Sequence, residues 1–165
     1  MSDAEAEAWR DTVRALGERI HQNGLTLHLD LFDASNVHDW SRYGPKQIAE
    51  CDFTLIIPSI AYRERWEGHN DPRQGAGAAR EIDTLKGLFN RDQDKFRDQV
   101  RAVLLPGITV NEVPTEILAG IVWYRVDPET EIGLPDLLRD LTGQPLYVLP
   151  APGPVPNLPP RPPVT

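Results

Sequence analysis

Apolar side chains near the start of the chain recur at helical steps: Trp9, Val13, Leu16 and Ile20 share one face of a helix that Asn23-Gly24 would end. The pattern then changes period. Leu25, Leu27, Leu29 and Leu31 alternate with Thr26, His28 and Asp30, as in a strand buried on one face, which predicts an edge strand. Residues 53–57 are instead almost continuously apolar, the mark of a parallel strand covered on both faces, so this strand is expected at the centre of a sheet. Residues 100–105 and 121–126 supply two more strands. Helices are predicted at Trp40–Glu50, Ile60–Glu67, 78–89 and Leu134–Leu141. Alternation of strand and helix predicts an α/β fold with a parallel sheet and helices on both faces.

Helix one opens within a few residues of Met1, whereas a crossover helix needs a parallel strand before it as well as after it. The first strand is therefore read as absent. In a flavodoxin-like order of 2-1-3-4-5 it would lie between the strand that starts at Leu25 and the strand at 53–57.

Proline divides the chain. Nine of the 16 prolines lie in the last 21 residues, where backbone donors are too few for a helix or central strand. Residues 1–144 are thus expected to form one domain, and residues 145–165 a proline-rich linker or tail leading to a further domain or partner. Composition narrows the function classes. Of the 165 residues, 17 are basic and 25 acidic, a formal charge of −8 that opposes contact with phosphate backbones and anionic membranes. The lone cysteine, Cys51, forms no internal disulfide and no cysteine zinc site, which points to a reducing cytoplasm. No apolar run approaches the roughly 20 residues that span a bilayer. The excess of arginine over lysine, 14 to three, fits a GC-rich bacterial coding sequence.

The order and spacing of short motifs resemble the SEFIR domains, bacterial-type relatives of the TIR domains. The matching residues begin with Asp30-x-Phe32-Asp33, Ala49-x-x-Asp52 and Ser59-x-x-Tyr62 followed by Trp66. Gly75-Ala76-Gly77 then leads into Arg80-Glu81, Val103-Leu104-Leu105-Pro106-Gly107 follows, and Leu141-Thr142-Gly143-Gln144-Pro145 closes the set. The resemblance implies a flavodoxin-like fold of five parallel strands and homotypic self-association in intracellular signalling. In several TIR relatives it also implies cleavage of NAD between nicotinamide and ribose, with NAD as substrate and no resident cofactor. The family's first strand and its serine-rich loop have no counterpart here, which reads as an N-terminally incomplete domain or a start assigned at an internal methionine.

The same resemblance makes Glu81 the candidate catalytic carboxylate, placed at the start of the helix after the glycine loop. A carboxylate there would stabilise positive charge on the ribose as nicotinamide leaves; an acidic residue in a first helical turn also simply favours the helix dipole. Trp66 is a candidate for stacking on a base, although a buried packing role explains it as well. Gly75 and Gly77 are candidates for presenting backbone donors to a phosphate, or equally a loop of ordinary flexibility. Phe32, Asp33, Asn36 and Asp39 mark the loop that corresponds to the association loop of TIR-like domains. Ser59 suits an N-cap better than a nucleophile, Cys51 a core thiol, and His69 with Asp71 make no metal set. Pro156 to Arg161 matches the spacing of an SH3 ligand, as proline-rich linkers often do by chance.

Overall fold

A computed structural model of the chain describes residues 2–29, 40–68, 76–115 and 120–165. Its elements in chain order are α1 (Asp3–Gln22), α2 (Trp40–Glu50), β1 (Thr54–Ile56), α3 (Ile60–Glu67), α4 (Ala76–Arg91), α5 (Gln93–Gln99), β2 (Val100–Leu104), β3 (Trp123–Arg125) and α6 (Leu134–Leu141). The three strands form a parallel sheet in the order β1-β2-β3, with Thr54 opposite Val100 and Ala102 opposite Trp123.

Side-chain alternation along β2 divides the core in two. Val100, Ala102 and Leu104 face one way, into a cluster with Ile56, Trp66, Ile82, Leu85 and Phe96. Val103, with Leu105 just beyond the strand, joins Leu16, Ile20, Val126, Leu134 and Leu137. Successive side chains of a strand point to opposite faces, so α3, α4 and α5 cover one face of the sheet, and α1 and α6 the other. Every residue of β2 is buried, as a central parallel strand requires. The mixed α/β class expected from the sequence is present.

Local chemistry sets the helix limits. Ser2 caps α1 by accepting from the Glu5 amide at 3.2 Å while the Glu5 carboxylate accepts from the Ser2 amide at 2.6 Å, a reciprocal capping box. The Ser59 hydroxyl accepts from the Tyr62 amide at 3.2 Å and starts α3, which fills the capping role predicted for it. Gly133 turns the chain into α6 at φ +81°, and a side-chain Cβ there would stand 1.8 Å from the Arg125 carbonyl oxygen. Only glycine fits this left-handed, crowded position.

Three expectations are corrected. First, among the described residues the segment 53–57 stands at the edge of the sheet, where β1 pairs with β2 on one side and no strand pairs with its other edge. Second, residues 25–29 keep the alternation, with Leu25, Leu27 and Leu29 half-buried and Thr26 and His28 exposed, but form no strand. A strand exists only through a neighbour's hydrogen bonds, and among the described residues none lies alongside; Asp30 and Leu31, the rest of the predicted strand, lie outside them. Third, α1 does not run as a crossover helix. Near its C-terminus Arg19 donates from Nε to the Pro128 carbonyl at 3.3 Å and pairs with Glu131 at 3.1 Å. Both partners lie in the loop leaving the carboxyl end of β3, whereas a helix crossing back from a preceding parallel strand would begin at that edge rather than end there.

Candidate functional site

The free edge of β1 borders a groove of about 980 Å³ that follows the strand from Cys51 to Ile57. Its walls come from both layers of the fold. On the α1 side stand Trp9, Val13 and Ile20, with Leu25, Leu27 and Leu29 beyond them. On the other side are Ile48 of α2, Tyr62 of α3 and Leu85 of α4. Leu55 and Ile57 line it from β1, and Leu141 from the end of α6. The groove thus has apolar side chains toward both faces of the sheet, with the carboxylates Glu50, Asp52 and Glu81 also on its lining, and among the described residues no strand pairs with the edge between them.

Glu81 lines this groove toward the carboxyl end of β1, where Ile57 leads through Pro58 and Ser59 into α3. It is the sixth residue of α4 and solvent-exposed. The first-turn position expected from the sequence is thus displaced: α4 starts at Ala76, two residues earlier than predicted, so Glu81 stands in the second turn, where the helix dipole has less hold on it. Tyr62 is its neighbour in the groove. Burial first, and the Glu81 charge second, raise the Tyr62 hydroxyl well above the ordinary tyrosine range. Its Oη is buried with no hydrogen-bond partner among the described residues.

The other predicted residues disperse. Trp66 is 2% exposed, packed 6.3 Å from Tyr62 ring to ring, and Lys86 donates to its carbonyl while lying 5.3 Å over its ring. It packs in the core beneath α3 and presents no open face on which a base could stack. Gly77 falls inside α4 as its second residue. Gly75, Phe32, Asp33, Asn36 and Asp39 lie outside the described residues, as do His69 and Asp71. Cys51 is half-buried at the amino end of the groove, and burial, followed by the charges of Asp52 and Glu50, pushes its thiol up, away from the reactive thiolate. Among the described residues no three His, Cys, Asp or Glu side chains converge as metal ligands. No described helix is long and apolar enough to cross a membrane.

The polar cluster that sequence reasoning missed is structural. Arg101, 9% exposed, holds Asp140 through Nε at 2.6 Å and Nη2 at 3.3 Å, and Tyr124 donates to the same carboxylate at 2.8 Å. This joins β2, β3 and α6. The only hint in the sequence is a charged residue inside an otherwise apolar run, Val100-Arg101-Ala102-Val103.

None of the family models, curated proteins or solved structures compared with the chain matches it.

Proposed function

We propose that this chain is a self-association module for intracellular signalling, of the SEFIR and TIR type and related to the flavodoxin-like class. The observation that carries the reading is the edge of β1, which no strand pairs among the described residues, beside a groove with apolar side chains toward both sheet faces. Strand edges of this kind are templates for another chain. The ordered motifs from Asp30 to Pro145 and the proline-rich tail beyond α6 support it, since a tether places attached domains at high local concentration when the modules assemble. In this reading the association loop contributes through Phe32, Asp33, Asn36 and Asp39, the partners are like domains, and the compartment is the cytoplasm. Light scattering of the full chain over a dilution series tests it. The mass is expected to rise with concentration, and a constant monomer mass counts against the reading.

Glu81 favours a second reading, hydrolysis of NAD. Glu81 of α4 lines the groove beside the Tyr62 hydroxyl, which is buried with no hydrogen-bond partner among the described residues, and such a carboxylate would stabilise a cationic ribose bound there. The glycosidic C–N bond breaks with its electron pair leaving on nicotinamide. Water then adds to the ribose carbon and releases a proton. Nicotinamide release by the wild-type chain, abolished in a folded Glu81→Ala variant, is the expected result; equal release by both removes Glu81 from the chemistry.

A further inference from the structure

Residues 146–149 read Leu-Tyr-Val-Leu between Pro145 and Pro150. They follow α6 without regular structure and lie in solvent, Tyr147 at 85% and Leu149 at 91% exposed. Four consecutive apolar residues in water are a liability unless something covers them. In strand form they would show Leu146 and Val148 to one side and Tyr147 and Leu149 to the other, apolar on both faces as an interior parallel strand is. The flanking prolines are tolerated at strand ends and would stop the pairing there.

The groove beside β1 is the complementary surface. It offers an open strand edge, with Trp9 and Val13 over one face and Tyr62 and Leu85 over the other. The apolar run at 53–57 has the composition of an interior strand but the position of an edge strand, and one added strand removes that mismatch. Donor and acceptor are thus both present, and among the described residues both are unmatched, in a single copy.

We propose that residues 146–149 of one copy enter the groove of a second copy and pair with the free edge of β1 as a fourth strand. This names the contact behind the self-association proposed above and rests on that reading. In the single copy the tail does not fill its own groove: Gly143, two residues past α6, turns the chain in the left-handed region at φ +69°, residues 142–165 are all exposed, and none of them lines the groove that Leu141 borders. The charge of −8 per copy opposes assembly, and Glu50, Asp52 and Glu81 line the groove, so an uncharged segment such as 146–149 is the donor that adds no further repulsion. Added salt therefore strengthens association. Reciprocal exchange closes a two-fold dimer, whereas one-way exchange makes a ring or a chain.

Sedimentation of the full chain over a concentration series, with hydrogen exchange read on residues 53–57, tests this against the double variant Tyr147→Asp with Leu149→Asp. Both positions are exposed in the single copy, so the variant keeps the fold, checked by its helical circular dichroism. The expected result is association in the wild type, protection of 53–57 that grows with it, and both lost in the variant through an affinity about 100-fold lower. Equal association of variant and wild type overturns this contact but leaves self-association standing. A monomer at every concentration overturns both. A monomer whose 53–57 segment is protected in the wild type and exposed in the variant assigns the groove to the chain's own tail and overturns exchange between copies.

Discussion

Arg101 shows how one residue holds three elements. Its guanidinium fork meets both Asp140 oxygens, its Nη1 donates to the carbonyls of Arg97, Asp98 and Val100 at 2.7–3.1 Å, and its carbon face lies 5.2 Å from the Phe53 ring. A buried guanidinium keeps its charge, so the carboxylate opposite it is required. Asp140→Asn is expected to cost about 2–3 kcal/mol in urea unfolding. Burial works to raise the Asp140 carboxyl, but hydrogen bonds from Arg101 and Tyr124, with the Arg101 charge, outweigh it and hold the group below its ordinary value of 3.8. A carboxyl depressed in the folded state contributes stability in full above the unfolded value and loses it as pH falls through the folded one. Acid unfolding below about pH 4 should therefore be steeper in the wild type than in Asp140→Asn. Tyr124, pushed up to about 12 by burial and by its bond to Asp140, has the opposite sense: its contribution is full below pH 10 and fades as pH rises toward its folded value. Gly133→Ala is expected to lower stability by about 2 kcal/mol or more, because its Cβ meets the Arg125 carbonyl at a left-handed position. A measured loss of only a few tenths would show that the loop shifts freely.

At the scale of elements, regular periodicity was legible and pairing was not. The helices expected at Trp40–Glu50, Ile60–Glu67 and Leu134–Leu141 have the same limits in sequence and structure. Burial of one helix face is a local property of the chain, which is why it can be read. Helix α5 escaped because Gln93–Gln99 carries one buried apolar residue, Phe96, among charges, too few for a period. It forms because Asp92 caps it, accepting from the Lys95 amide at 3.0 Å, and because Phe96 meets Phe89 edge to face at 5.3 Å. Phe96→Ala is expected to cost about 3–4 kcal/mol in denaturant. A cost near 1 kcal/mol would mean that α5 is held by its cap alone. Residues 25–29 show the reverse failure: alternation states which side chains face inward, but a strand needs a partner edge that periodicity cannot supply. The groove was invisible for the same reason, since its walls come from six separate stretches of chain. Glu81 could be singled out beforehand, but its place beside Tyr62 could not.

For the whole molecule, layers of helices cover both faces of a short parallel sheet, which among the described residues ends at β1 with apolar flanks on both sides. A sheet that ends on an interior-type strand has the form of a half-joint, and in the proposed exchange the exposed apolar segment beyond α6 would be its second half. Catalysis by Glu81 and association through β1 would share one groove, so a strand occupying it limits the space left for a nucleotide. An NAD-cleaving activity, if present, is then expected to change with protein concentration rather than stay proportional to it. In the proposed assembly, copies of this chain meet at the edge of β1 that no described strand pairs. Amide exchange of residues 53–57 in the full chain, followed as the protein is concentrated, tests it most directly. The account predicts protection that rises with concentration, and exchange in that segment that stays the same from dilute to concentrated solution would contradict it.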